Sequence, residues 1–322
     1  MSGPSFSVVI AAYQAAGTVG EAVSSALGQT RPPLEVVVCD DGSTDDLTGA
    51  LAPFGDAVTL IRQANGGEAS AKNAAARAAS GDFVVILDAD DTFMPERLER
   101  LAELAARRPE LDVLTTDAWL EVDGRRMRRC YGPGWTFAED DQRHEILRRN
   151  FVFGLAAVRR SRLLELGGFD EALRRTTDWD LWIRMLLRGS AVGAVLEPLA
   201  TYRVHRASLS ADRIGMKRGA LQTLTNARRD PALRPEDVPV LEASIAAYGR
   251  ELRLLEGRAA LAAGAPGVRR RMLAMAADSG FPPPARALAL AAAVAPGTAG
   301  RVQRRRAART WTGAGATEVA AQ

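Results

Sequence analysis

The stretch FVVILDADD, residues 83–91, is an apolar run that passes directly into a cluster of acidic side chains. A short run of Val, Ile and Leu without alternation is typical of a strand that is buried on both faces of a parallel sheet. Helical patterns separate this run from its neighbours, so we predict an α/β fold with a mostly parallel sheet and right-handed crossovers. The other predicted strands are Phe6–Ala11, Leu34–Cys39, Val58–Ile61 and Val113–Thr115.

The predicted helices carry recognisable start signals. Thr18 and Glu21 have the spacing of a capping box at the start of the first helix, and Ser43 or Asp45 is a good N-cap for the second. After Thr116 the pattern changes, with a hairpin turn expected at Asp123-Gly124. Ala- and Arg-rich helical segments follow residue 212. We therefore predict a domain over residues 1–212 and a helical C-terminal region over residues 213–322.

Composition excludes several classes of protein. The chain has 322 residues, of which 47% are hydrophobic and 25% charged, with a net charge of +3. Two cysteines are too few for a disulfide framework or a zinc cage. No secretory signal pattern and no run of ~20 apolar residues occur, so we expect a cytoplasmic protein. Basic residues do not alternate with exposed aromatic residues as in nucleic-acid-binding proteins, and we expect no nucleic-acid partner.

Acidic loops follow two of the predicted strands. They are Asp40–Asp45 and Asp88–Asp91, and parallel strands bring their carboxyl ends to one edge of a sheet, where ligands bind. Neither GxGxxG nor a Walker sequence follows the first strand, so a Gly-rich phosphate loop is not expected there. Carboxylates near a diphosphate are useful when a divalent cation lies between them. The alternative is that these acids only cap the following helices.

Six motifs in order resemble those of family 2 glycosyltransferases, which have the GT-A fold. The resemblance covers roughly residues 5 to 212. It departs from the family at Ala12 and Gln14, where Pro and Asn are frequent, and at Thr177, where Glu is frequent. The motifs are Ser7–Tyr13, Asp40–Asp45, Asn65–Asn73, Leu87–Asp91, Gly167–Glu171 with Asp178–Trp182, and Tyr202–His205.

The resemblance implies roles for individual residues. Tyr13 would stack on the donor base, Asp41 would bind the edge of that base, and Asp88 would lie near the ribose. A Mn²⁺ or Mg²⁺ ion would be bound by Asp90 and His205, and Asp178 would be the catalytic base. Asp180 is two positions further on, so the two carboxylates cannot share one helical face. The donor-binding residues are thus Ala11, Tyr13, Asp41 and Asp88.

The predicted activity is inverting, metal-dependent transfer of a sugar from a nucleotide-diphosphate donor, UDP by preference, to a hydroxyl of a glycan or lipid-linked acceptor. Such a reaction belongs to cell-surface polysaccharide or glycoconjugate synthesis. Three alternatives stay open: a non-catalytic relative that binds sugar nucleotides or carbohydrates, a sugar nucleotidyltransferase, and a phosphatase of the haloacid dehalogenase type. The last places its aspartates after its first strand, whereas Asp88 and Asp90 follow a fourth.

The C-terminal region carries a second pattern. Ala285–Val294 is apolar but only about half as long as a membrane span. Basic residues and a tryptophan follow this apolar segment. Together they predict a helix that lies on an anionic membrane surface, on the cytoplasmic face of the inner membrane. A helical appendage with a solvated basic tail is the alternative. The basic and aromatic residues that follow are Arg301, Arg304, Arg305, Arg306, Arg309 and Trp311.

Overall fold

A nine-stranded sheet forms the centre of the computed structural model, which describes residues 3–132, 134–205 and 208–310. The strand order is β3-β2-β1-β4-β8-β6-β9-β5. β7 lies outside this order and pairs with β6. The strands are β1 Phe6–Ala12, β2 Glu35–Asp40, β3 Thr59–Arg62, β4 Phe83–Asp88, β5 Thr92–Phe93, β6 Val113–Val122, β7 Arg125–Arg129, β8 Ala157–Arg159 and β9 Val192–Val204.

The first half of the sheet is parallel, as predicted. β1 lies between β2 and β4, with Val9 opposite Val37 on one side and Ile86 on the other. Successive side chains of β1 enter two different apolar layers: Val8 packs in one and Val9 in the other. The strand is therefore buried on both faces, which explains its continuous apolar sequence.

The second half is mixed. β8 is antiparallel to both β4 and β6, while β6 is parallel to β9. Val113–Thr115 and Trp119–Val122 were predicted as separate strands, but they are the two ends of β6. The intervening polar residues Thr116 and Asp117 are fully buried, and the register with β9 shifts beside them. The hairpin between β6 and β7 turns at Asp123-Gly124 as predicted, and both residues have positive φ.

Two predicted helix caps are wrong. The cap of α2 is Asp46, whose carboxylate accepts a hydrogen bond from the N–H of Gly49. Thr18 makes no side-chain cap, so the capping box at α1 is not formed. The helices are α1 Val19–Leu27, α2 Leu47–Leu51, α3 Glu68–Ala78, α4 Arg97–Arg107, α5 Gln142–Arg148, α6 Arg160–Glu165, α7 Thr177–Leu187, α8 Arg213–Ala227, α9 Val238–Ala263, α10 Val268–Ala277, α11 Pro283–Val294 and α12 Pro296–Thr310.

The C-terminal helices pack in two groups. Leu224 of α8 and Leu241 of α9 belong to the same apolar layer as the sheet face that α3 and α7 cover. The end of α9 and the helices α10 to α12 form a separate apolar cluster. The division at residue 212 stays a prediction; α8 begins directly after it, capped by Asp212. Among the helices of the described residues, none combines the length and the apolarity that crossing a bilayer requires.

Candidate active site

The end of β9 brings His205 to the acidic loop that follows β4. Because β4 and β6 are both antiparallel to β8, and β9 is parallel to β6, the carboxyl ends of β4 and β9 point to the same edge. There the Nε2 atom of His205 lies 3.1 Å from Oδ2 of Asp90. The backbone of His205 is held in turn by Ser208, whose hydroxyl accepts the His205 N–H at 3.0 Å. The predicted approach of Asp90 and His205 is confirmed.

Asp88, Asp90 and Asp91 concentrate negative charge at this edge. Burial, followed by the charge of Asp88, raises the pKa of Asp90 against the lowering effect of His205. Burial and the same neighbouring charges raise the pKa of Asp91 well above its ordinary value. One carboxylate oxygen of Asp91 accepts the backbone N–H of Arg203 at 2.8 Å, while the other is buried without a hydrogen-bond partner. A bound cation would favour the ionised form of all three carboxylates.

The ligand set fits Mn²⁺ or Mg²⁺. In the described part of the chain, no group of three or more His, Cys, Asp and Glu side chains is arranged to hold a metal ion. A closed structural site is therefore not formed by these residues. A carboxylate oxygen of Asp90 and the imidazole of His205 supply two ligands, and Mg²⁺ characteristically takes one or two protein carboxylates together with substrate phosphate oxygens. The imidazole makes Mn²⁺ equally acceptable.

Lys72 links the acidic loop to α3. Its Nζ atom lies 2.9 Å from Oδ1 of Asp88 and 2.5 Å from Oε1 of Glu68, and its side chain is buried. Burial alone would lower the pKa of Lys72, but the charges of Asp88 and Glu68 together raise it. The ammonium group thus stays charged and fixes the position of Asp88. The sequence motif contained Lys72, and its i,i+4 spacing from Glu68 is that of a helical ion pair, but no spacing rule connected it to Asp88.

Asp178 lies at the start of α7. The residue before the helix is Thr176, so Asp178 is in the first turn and is not the N-cap. Its Oδ2 atom accepts a hydrogen bond from Nδ2 of Asn150 at 3.1 Å. Burial raises its pKa, while the backbone N–H of Trp179 and the charge of Lys72 oppose that rise. Lys72 binds Asp88, and its charge also acts on Asp178, which links Asp178 to the acidic loop.

Asp180 turns away from this cleft. Its carboxylate forms an ion pair with Nε of Arg184, one turn further along α7, at 2.7 Å. The guanidinium of Arg184 also donates to the carbonyls of Leu166 and Gly168. One of the two aspartates is thus paired, as predicted, and that Asp178 faces the cleft stays a prediction.

Asp41 organises the loop before α3. Its Oδ1 atom accepts hydrogen bonds from the N–H of Gly66 and from Nε2 of Gln63, and Oδ2 accepts from the N–H of Gly67, all at 2.8 Å. A carboxylate has about four lone-pair sites, so Oδ2 retains capacity for one further donor. The role of Asp41 in donor binding stays a prediction. Its role in positioning the loop before α3 was not evident from the sequence.

Ala11 and Tyr13 border the cleft from β1. Ala11 pairs in register with Cys39 on one side and with Asp88 on the other. Tyr13 follows the strand and its side chain is 53% exposed, so a planar ligand can reach its ring. The next residue, Gln14, has positive φ, and its side-chain oxygen accepts the N–H groups of Thr44 and Asp45. Gln14 therefore connects the loop after β1 to the loop after β2 by hydrogen bonds.

A further clamp holds the segment before α7. The side-chain oxygen of Asn73 accepts the N–H of Phe169, and its Nδ2 atom donates to the Phe169 carbonyl and to Glu171. Gly168 has a φ of +79°, and a Cβ atom there would lie 2.2 Å from the Asn73 side-chain oxygen. Asn73 and Gly168 thus position the loop that leads to Asp178. Both occur in the motifs, but their contact was not predictable from spacing.

Comparison with known proteins agrees with this geometry. A succinoglycan biosynthesis protein, ExoO, of Rhizobium meliloti is 34% identical over 223 residues, covering 66% of this chain and 63% of that protein. An uncharacterized glycosyltransferase of Rickettsia prowazekii is 28% identical over 208 residues, covering 63% and 65%. The chain thus spans slightly under two thirds of the length of these relatives.

Among solved structures, the mannosyltransferase PcManGT from Pyrobaculum calidifontis, in complex with GDP-Man and Mn²⁺, superposes with a TM-score of 0.60. The identity is 24%, and the match covers 100% of this chain and 86% of the other. This likeness confirms the predicted fold class, a GT-A type sheet flanked by helices. Residues 7–167 match the family described as Glycosyl transferase family 2. The chain belongs to glycosyl transferase family 2.

Proposed function

We propose that this protein is an inverting, metal-dependent glycosyltransferase that moves a sugar from a UDP-sugar to a hydroxyl of a glycan or lipid-linked acceptor. The observation that carries the proposal is the arrangement around Lys72. Lys72 binds Asp88, two residues before Asp90 of the pair Asp90 and His205, and the charge of Lys72 also acts on the carboxylate of Asp178. A ligand pair for a diphosphate-bound metal and a proton acceptor thus border one cleft, as sugar transfer requires.

The donor base is assigned to Tyr13 and Asp41. The exposed ring of Tyr13 offers a stacking surface, and the free lone pair on Oδ2 of Asp41 accepts a hydrogen bond. A carboxylate acceptor favours a base whose edge carries a ring N–H, which uracil and guanine both have. We prefer UDP, with GDP as the competitor to be measured. Asp88, opposite Ala11 and fixed by Lys72, is placed to bind the ribose hydroxyls.

The leaving group is assigned to Asp90 and His205. When bound there, Mn²⁺ or Mg²⁺ would neutralise the charge that develops on the departing diphosphate. Lys72 lies behind Asp88 and keeps the carboxylate loop in place. Arg203 fixes the strand end that carries His205, because its guanidinium binds Glu21 at 2.6 Å and Glu121 at 3.3 Å.

Asp178 is assigned as the base. Its raised pKa makes the carboxylate a better proton acceptor than an exposed aspartate. The acceptor oxygen forms a bond to the anomeric carbon while the bond to the diphosphate oxygen breaks, and the hydroxyl proton passes to Asp178. A single displacement of this kind inverts the anomeric configuration. Asn150 holds the carboxylate at 3.1 Å and orients it.

The relatives and the cysteines support the biological setting. ExoO is named for succinoglycan biosynthesis, and we propose a role in cell-surface polysaccharide or glycoconjugate synthesis for this chain. Cys39 and Cys130 are both buried free thiols, which accords with a reducing cytoplasm.

The test is a panel of nucleotide sugars, UDP- and GDP-linked, incubated with the purified chain and Mn²⁺. Release of nucleoside diphosphate supports transferase or donor-hydrolysis chemistry, and its stimulation by a glycan acceptor supports transfer. Donor binding without turnover would favour the non-catalytic alternative. Release of pyrophosphate from a nucleoside triphosphate and a sugar phosphate would favour a nucleotidyltransferase, and release of inorganic phosphate from a sugar phosphate would favour a phosphatase.

A further inference from the structure

The helix α11 exposes an apolar face. Leu288 and Val294 are each 71% exposed and Leu290 is 51% exposed, although the opposite face of the helix already packs on its neighbours through Ala289, Ala292 and Ala293. The residues between them on the exposed side, Ala287 and Ala291, are also apolar. A helix that is apolar all round is normally buried on all sides. The outer face of α11 therefore lacks a covering surface within the described residues.

The neighbouring helix α10 extends this face. The side chain of Arg269 donates to the carbonyl of Val294, and the side chain of Arg286 donates to the carbonyl of Ala276. These two contacts show that α10 and α11 lie side by side and antiparallel. Leu273 is 51% exposed and is one turn from Arg269 on α10. We call the exposed apolar side chains of these two adjacent helices, Leu273, Leu288, Leu290 and Val294, the α10–α11 face.

Exposed arginines are abundant on α10 and α12, the helices on either side of α11 in the chain. Between residues 264 and 305 the only acidic residue is Asp278, and its carboxylate is bound by Arg253 and by the N–H of Gly280. Val302 of α12 is also exposed and lies between arginines on the same helix. Exposed apolar side chains together with exposed arginines complement a surface that has an apolar interior and anionic headgroups. The exposed arginines are Arg269, Arg270, Arg271, Arg301, Arg304 and Arg305.

We propose that the α10–α11 face binds the surface of an anionic lipid bilayer. α11 has 12 residues and is about 18 Å long, whereas the hydrocarbon core of a bilayer is about 30 Å thick. The helix therefore lies in the plane of the interface, with its leucines among the acyl chains and the arginines at headgroup level. This contact is independent of the proposed catalytic chemistry, and it brings the enzyme to the place where a lipid-linked acceptor is found. Of the tail residues, Trp311 and the side chains of Arg306 and Arg309 lie outside the described residues.

Flotation of the full chain with vesicles tests the proposal. We expect binding to vesicles of phosphatidylcholine with phosphatidylglycerol, and weaker binding to pure phosphatidylcholine, because the arginines add an electrostatic contribution. The double variant Leu288→Gln/Leu290→Gln should reduce the bound fraction about tenfold. Arg270→Gln/Arg271→Gln should reduce binding to the anionic vesicles alone. Both pairs are exposed, so folding is not at risk, and circular dichroism checks it.

The matched control is Leu34→Gln/Leu196→Gln, which changes two exposed leucines outside the C-terminal helices. This variant should float like the wild type. Equal flotation of the Leu288→Gln/Leu290→Gln variant and the wild type would overturn the proposal, as would absence of wild-type binding to anionic vesicles. A monodisperse dimer that the Leu288→Gln/Leu290→Gln variant converts to monomer, without lipid binding, would assign the face to a second copy instead. Nucleoside diphosphate release from a soluble acceptor assay should be unchanged in all three variants.

Discussion

The Nε2 atom of His205 and the Oδ2 atom of Asp90 lie 3.1 Å apart, although 115 residues separate them in the chain. Their approach depends on β9, which runs in the same direction as β4 and ends at the same edge of the sheet. A carboxylate and an imidazole are thus brought together by two strand ends, and a substrate diphosphate would complete the coordination of a metal bound between them.

Substitution of Asp90 by Asn should nearly abolish transfer. The amide keeps the size of the side chain but removes the charge that a divalent cation requires. We expect kcat/KM to fall at least about a hundredfold, comparable to the loss of one group that stabilises transition-state charge. The measurement is nucleoside diphosphate release as Mn²⁺ is titrated, with His205→Ala assayed in parallel.

The control is Asp56→Asn, an exposed acidic residue between β2 and β3, which should retain wild-type turnover. Removal of the metal with excess chelator should abolish the turnover of the wild type and of the control alike, and added Mn²⁺ should restore the turnover of both. Full turnover of the wild type in chelator would exclude a metal-dependent mechanism.

Substitution of Asp178 by Asn should remove the base without disturbing the donor site. We expect transfer to fall at least about a hundredfold while the Kd of the donor changes little, because Asp178 is the proposed proton acceptor and is not one of the proposed donor-binding residues. Donor affinity can be measured by titration calorimetry, and transfer by product formation at saturating acceptor.

Asp180→Asn is the matched control for that experiment. Its carboxylate binds Arg184 on the far side of α7, so transfer should stay within about tenfold of the wild type. If instead Asp180→Asn is the inactive variant and Asp178→Asn transfers sugar normally, the assignment of the base is wrong.

Substitution of Gly168 by Ala should destabilise the protein more than Gly167→Ala does. Both glycines have φ near +80°, so both variants bear the cost of a left-handed backbone. Only at Gly168 would the new Cβ meet Asn73, at 2.2 Å from its side-chain oxygen. We expect the free energy of unfolding to differ by about 1–3 kcal/mol between the two variants in urea denaturation.

A double-mutant cycle isolates that contact. In an Asn73→Ala background the two glycine substitutions should have nearly equal effects, because the clashing oxygen is gone. A difference that persists in this background would show that backbone conformation, and not Asn73, sets the cost at residue 168.

The first half of the fold was predictable because its strands are buried on both faces. The sequences of β1, β2 and β4 are short, largely apolar runs. This pattern is typical of a strand that is buried on both faces and of few other structures. β9 was not predicted, since its sequence contains Gly193, Glu197 and Pro198. Its pairing with β6 shifts in register beside Asp117, whose buried carboxylate is satisfied by Arg129 and by the N–H of Tyr131. Such a strand is specified by its partner and not by its own pattern.

The site likewise contains features that were predictable from the sequence and features that were not. Asp90, His205 and Asp178 lie in motifs and could be singled out from the sequence. The contacts of Lys72 with Asp88 and of Asn150 with Asp178 depend on how α3 and α7 meet the sheet, and no local spacing encodes them. The same is true of Glu21, which fits a capping box in the sequence but binds Arg203 at the end of β9.

The pKa of Asp178 gives a last prediction, which concerns stability. Burial raises the pKa of this carboxyl in the folded state. Its contribution to stability is therefore fully present below the pKa of the unfolded chain, about 3.9, and is lost as the pH rises through the folded value. At neutral pH the ionised group costs stability, whereas asparagine bears no charge at any pH. Asp178→Asn should thus have a higher Tm than the wild type at pH 7, and the two values should converge as the pH falls towards about 4. Thermal unfolding in chelator keeps metal binding out of the comparison, and Asp56→Asn should follow the wild type throughout. A variant with a lower Tm at pH 7 would mean that the ionised carboxylate stabilises the fold through Asn150 and Lys72, and the raised pKa of Asp178 would then be wrong.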